Sequence, residues 1–197
     1  MSKLRRRRPR AGQGGYTLVE LMMALALLTV GILGVISMQK VTVTANSQAK
    51  NVAIAERLAQ AWAGQLEMDA TAWRGAWGGF LNDDAGAWRR PLPVRGFGSA
   101  FDAFGNALSD ADVAKARFCT HVRMTPLYPT TLGIGGNGML RAEIRVFWLR
   151  DGESPLDSNA TICAVAQSAA QIQAIGLSTD RYHFVYQTVG VRQHFQI

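Results

Sequence analysis

Residues 18–38 read LVELMMALALLTVGILGVISM, and this run limits what the chain can fold into more than any other feature. Its 21 residues carry a single charge, Glu20. A helix of that length, at about 1.5 Å per residue, spans a hydrocarbon core roughly 30 Å thick. Inside lipid each backbone N–H and C=O needs a partner within the segment, and a helix supplies it. Basic residues crowd in front of the run and almost none follow it directly. That asymmetry predicts a cytoplasmic N-terminus, with everything beyond residue 38 exported.

The charge distribution fits. A formal net charge of +7 taken alone suggests a nucleic-acid or membrane-surface partner. Lys3, Arg5, Arg6, Arg7, Arg8 and Arg10 supply 6 of the 21 basic residues. Without them 15 basic residues face 14 acidic ones, so the body of the chain is close to neutral. A basic tail that leads straight into a lipid-compatible run reads as a topological signal, and no nucleic-acid partner is expected. An ordinary secretory signal has a shorter apolar stretch and a small-residue cleavage site behind it, and neither holds here. The arginine run also lacks the residues that follow a twin-arginine signal.

The junction GGYTLVE occupies residues 14–20. Gly15 has no side chain, so the backbone there can extend into a protease cleft. Glu20 lies about one turn inside the helix, where a carboxylate is costly in lipid unless it is paired or near the interface. The junction, with the leader before it and the apolar run behind it, resembles the processing site of type IV prepilins and pseudopilins. The resemblance implies a cut between Gly15 and Tyr16 by a membrane prepilin peptidase, which also N-methylates Tyr16. Phenylalanine is commoner in the family at the position of Tyr16. The family gives Glu20, the fifth mature residue, a role in assembly: it pairs with the new terminal amine of a neighbouring subunit. Snorkelling to the headgroups, or complementing the helix dipole, is the simpler reading of that carboxylate.

No proline interrupts residues 16–70. Beyond the apolar run, Val41, Ala45, Val52, Ala55, Leu58, Trp62 and Leu66 recur at helical spacing. Lys40, Gln48, Lys50, Glu56, Arg57 and Glu67 fall mostly on other faces. One helix over residues 17–68 is predicted, about 80 Å long. Gly31 and Gly34 are its candidate weak points or sites of close helix approach.

Residues 71–112 are rich in Gly, Pro, Trp and Phe, and read as an irregular link with a short helical segment near 111–117. Trp73, Trp77, Phe80, Trp88, Phe97, Phe101 and Phe104 are expected to pack it; an aromatic surface for sugars or a partner is the sharper alternative. Strands are predicted at 117–124, 139–150, 161–167 and 182–195, with a helix over 164–176 as the alternative to the third. An antiparallel sheet of four strands against the long helix follows. The expected fold class is α+β, and the resemblance to prepilins implies the type IV pilin fold. Its expected parts are a cleaved leader (1–15), a membrane half (16–38) and an amphipathic half (39–70) of the helix, and an exported head (71–197).

Cys119 and Cys163 are the only cysteines. On strands of an exported domain they are expected to form one disulfide, two buried thiols being the other option. The loop it closes corresponds to about 3–4 kcal/mol in the chain-entropy model. His121, His183 and His194 stand apart, and Asp83, Asp84, Asp110 and Asp112 match no metal-binding loop. With no nucleophile, zinc or phosphate-loop motif, neither catalysis nor a cofactor is expected.

The start YTLVELMMALALLTVGILGVISMQ and the strand AEIRVFWLRDG resemble PilV-type minor pilins. That likeness implies a low-abundance subunit that primes fibre assembly or sits at the tip. Its partners are then the prepilin peptidase and N-methyltransferase, other major and minor pilins, and the inner-membrane assembly platform. The expected location is the inner membrane, with a periplasmic head, before assembly, and the fibre at the cell surface afterwards. A minor pseudopilin of a type II secretion system shares the same spine. A signal-anchored periplasmic protein and a tip adhesin are the readings from other classes.

Overall fold

In the computed structural model, residues 15–70, 86–91, 98–128, 139–156 and 161–192 are described. The leader through residue 14, Trp73, Trp77, Phe80, Asp83, Asp84, Phe97 and His194 lie outside them. The chain divides into two compact units, Met1–Gln48 and Ala49–Ile197. One helix, α1 (Leu18–Ala70, 53 residues), supplies the described part of the first unit beyond Thr17 and the opening of the second. It runs unbroken through Gly31 and Gly34, where a Cβ would meet nothing within 4 Å. By length and composition it can cross a membrane.

In the second unit, α1 buries Ala55, Leu58, Ala59, Trp62, Ala63 and Leu66 and leaves Lys50, Glu56, Arg57 and Glu67 in solvent. Small and large apolar residues alternate along that stripe, which lets the helix lie close on a sheet. The predicted face is therefore right from Ala55 onward. Val52 is exposed, as are Val41 and Ala45 in the first unit.

The sheet has the order β1-β2-β3-β4: β1 (Ala100–Phe101), β2 (Phe118–Tyr128), β3 (Met139–Leu149) and β4 (Tyr182–Arg192), all antiparallel. A 3-10 helix at Asp110–Lys115 occupies the place of the predicted short helical segment. On one face Phe118, Val122, Met124, Leu140, Ala142, Ile144, Val146, Trp148 and Val191 join the α1 stripe in the main core. Period-two alternation sends the intervening residues to the other face. There Cys119, Phe147 and Tyr182 pack with Ile162, Cys163 and Ile175 in a second core.

Residues 161–167 are not a strand, which corrects the sequence reading. They form an irregular segment leading into α2 (Ala169–Leu177), and the fourth strand is the two-residue β1. Ser168 caps α2: its hydroxyl accepts from Gln171 N, while the Gln171 side chain accepts from Ser168 N. Such reciprocal capping satisfies two helix-end donors at once and fixes where the helix starts. The Cys119–Cys163 disulfide (Cα–Cα 5.4 Å) ties this segment to β2. The second unit is thus three layers: the end of α1, the sheet, and the segment 161–177.

Candidate assembly site

α1 begins at a threonine. Thr17 Oγ1 accepts from Glu20 N (3.3 Å), and Thr17 O accepts from Leu21 N (3.2 Å). Thr17 is therefore the N-cap and Glu20 the third helical residue, the spacing of a T-x-x-E capping signal. TLVE could have been read this way from the sequence, since the pattern stands in residues 17–20. Just before the cap, Gly15 has open space around it, and Tyr16 is 84% exposed. The backbone on either side of the predicted cut is accessible and non-helical.

The polar groups within the apolar run differ in one respect. Thr29 Oγ1 donates to Ala26 O (2.7 Å) and Ser37 Oγ to Leu33 O (3.0 Å). Just beyond, Thr42 donates to Met38 O (2.9 Å) and Thr44 to Lys40 O (3.0 Å). Each hydroxyl is satisfied by its own helix, so none demands a partner in an apolar medium. Glu20 is exposed, and among the described residues it forms no ion pair and its carboxylate no hydrogen bond. Of the polar side chains in residues 18–38, it alone needs something from outside the helix. Its position in the first turn favours an anion, because the unpaired N–H groups there carry partial positive charge.

In the head the other singled-out residues have structural partners. Cys119 and Cys163 are joined. Asp110 pairs with Arg90 (2.6 Å), and Asp112 with Lys115 (2.8 Å) and the Ser109 hydroxyl (2.9 Å). Among the described residues no three His, Cys, Asp or Glu side chains gather. Phe101 is fully buried and Trp88 partly so, while Phe104 is 73% exposed beside Lys50. His183 stacks on Trp148, its cross-strand partner.

His121 belongs to a buried network that sequence reading missed. Register places His121, Arg145 and Tyr186 in one row across β2, β3 and β4. Arg145 Nε and Nη2 lie 3.2 and 2.9 Å from His121 Nδ1. A guanidinium has only donors, so Nδ1 must accept and the imidazole proton sits on Nε2, which donates to Gln167 Oε1 (3.0 Å). Arg145 Nη2 also donates to Ile172 O of α2, and the guanidinium lies 4.5 Å from the Trp88 ring centre. Burial, and then the nearby Arg145 charge, push the His121 pKa down to about 3. Burial lowers Arg145 to about 10, with Tyr186 opposing, so it stays cationic at neutral pH. The network fastens the 161–177 layer to the sheet and offers no accessible reactive group.

With this geometry in view, comparison with known families gives one match. The family described as "Prokaryotic N-terminal methylation motif" matches residues 10–36. The chain carries a prepilin-type signal. That motif covers the junction, the helix cap, Glu20 and most of the apolar run, and it indicates a type IV pilin-like or pseudopilin protein. Such a signal implies processing by a prepilin peptidase and association with a membrane. No curated protein and no solved structure matched the chain.

Proposed function

We propose that the chain is a minor type IV pilin. In this reading residues 1–15 are removed between Gly15 and Tyr16 and the new Tyr16 amine is methylated. α1 then carries the subunit into a fibre, where the protein helps prime assembly or forms part of the tip. The observation that carries the reading is Glu20. It is the one polar side chain of an otherwise self-satisfied apolar helix segment, and it lies within the matched motif. Cleavage would create a cationic amine four residues before it, at nearly the same depth. A charge costs roughly 3 kcal/mol at the bilayer centre on insertion scales and less toward the end of the run where Glu20 stands, so a neighbour's amine is still a favourable partner. Pairing Glu20 of one subunit with the amine of the next would also set the stagger between helices.

The test is mass spectrometry of the N-terminus of the protein in purified fibres. N-methyl-Tyr16 as first residue is the expected result. An intact leader would overturn the reading. A methylated Tyr16 found in membranes and absent from pili would instead favour a type II secretion pseudopilin.

A further inference from the structure

α1 is one helix, yet its length is not supported evenly. Residues 18–38 form the apolar run, where an opened backbone group would find no water in lipid. Farther along, Leu58, Trp62 and Leu66 are buried in the main core and hold their turns by packing. Residues 39–49 lie between these stretches and every one of them is exposed. Among the described residues, no side chain of 39–49 hydrogen-bonds or ion-pairs with another segment. In this interval only the intrinsic preference of the residues keeps the helix closed.

That preference is weak where it matters. Residues 41–47 read VTVTANS. Val and Thr lose side-chain freedom in a helix, while Asn and Ser compete for its backbone groups. Six of the seven therefore come from the weaker half of the ordinary helix formers. Thr42 and Thr44 return their hydroxyls to Met38 O (2.9 Å) and Lys40 O (3.0 Å), a bond that slightly weakens and often bends a helix. No acidic residue stands between Glu20 and Glu56, so neither Lys40 nor Lys50 gains an ion pair one turn away.

An opening in mid-helix creates a second helix start, which is disfavoured by a nucleation factor of roughly 10⁻³. Poor propagation offsets that factor a little at each position, and here the weak positions are almost consecutive. We propose that residues 41–47 are a helix–coil joint in α1, a stretch that opens and recloses in water while the turns on either side stay helical. Seven residues span roughly 10 Å as helix and up to about 24 Å when extended. The opened joint would let the run 18–38 shift or turn without pulling on the turns packed in the main core. This step rests on the membrane reading of residues 18–38; it does not depend on the fibre, the tip or the cut before Tyr16.

The test is amide exchange on the full chain in lipid bilayers, corrected for the intrinsic rate of each residue. Amides of residues 45–49, whose helical bonds start within the joint, should exchange at least about 100-fold faster than those of 22–34 and 58–66. The comparison variant carries Val41→Ala, Thr42→Ala, Val43→Ala, Thr44→Ala, Asn46→Ala and Ser47→Ala together. All six positions are exposed, so the head should fold and keep its Cys119–Cys163 disulfide. In this variant the same amides should slow at least about tenfold, with 58–66 unchanged. Uniform protection from 22 to 66 in the wild-type chain would overturn the proposal. Fast exchange that persists in the alanine variant would overturn it too, since the weakness would then not lie in these side chains. Free exchange over 22–34 would overturn it together with the membrane reading, which the first two outcomes leave standing.

Discussion

Arg145 and His121 show how a buried charge can be held without a carboxylate. The guanidinium donates to an imidazole nitrogen and a helix carbonyl and rests on an indole face, while the imidazole stays neutral. This arrangement has a pH consequence. His121 titrates near 6.5 when unfolded and near 3 when folded, so between these values only the unfolded chain takes up the proton. Stability is therefore complete above about pH 6.5 and falls as the pH drops toward 3, by up to about 1.4 kcal/mol per unit. His183, lowered by burial and by Arg150, acts in the same sense. Denaturant unfolding should show a loss of about 2–3 kcal/mol between pH 6.5 and 4.5. In His121→Gln most of that slope should vanish, even if the variant is less stable throughout. An unchanged slope would refute the assignment. None of this was legible beforehand: a lone histidine and a lone arginine, 24 positions apart, become neighbours only through strand register.

At the scale of elements, period and punctuation decided what could be read. α1 was legible because an apolar run, a proline-free course and a recurring Ala/Leu/Trp stripe agree. β2, β3 and β4 were legible from their alternating, β-branched and aromatic residues. The segment 161–167 misled because Thr161, Ile162, Cys163, Ala164 and Val165 mimic a strand. The contrary signal was S-A-A-Q at 168–171, a capping box that starts a helix just after them. That segment is held by three devices: the disulfide, the cap and the Arg145 bond to Ile172 O. Ser168→Ala should cost about 1 kcal/mol. Replacing both cysteines by alanine should cost about 3–4 kcal/mol. Both act on one segment, so the combined variant should lose measurably less than the sum of the two. Strict additivity in thermal or denaturant unfolding would mean that α2 and the disulfide hold independent parts of the head.

At the scale of the whole molecule, the chain carries two sets of requirements that do not share residues. Those of the first unit are met by apolar composition and back-bonded hydroxyls, with Glu20 left over. Those of the second are met by two cores on either side of a sheet and one covalent tie. If the first unit assembles and the second only needs to fold, failures should separate. Glu20→Ala should be processed at Gly15–Tyr16, keep the Cys119–Cys163 disulfide and a normal unfolding midpoint, and yet be absent from fibres. Loss of both cysteines should leave processing of Tyr16 intact, because the cut precedes α1 and the disulfide belongs to the other unit, while the destabilised head should be degraded before it accumulates. Thr29→Val is the control: its hydroxyl serves only Ala26 O, so insertion, processing and incorporation should stay at wild-type levels. The four readouts are the N-terminal mass, the non-reducing mobility of the chain, its unfolding midpoint and its amount in the fibre fraction. Normal fibre content in Glu20→Ala would remove the carboxylate from assembly and leave helix-dipole complementation as its role. Loss of processing in the cysteine variant would show that the peptidase reads the folded head as well as the junction, against the division drawn from these two units.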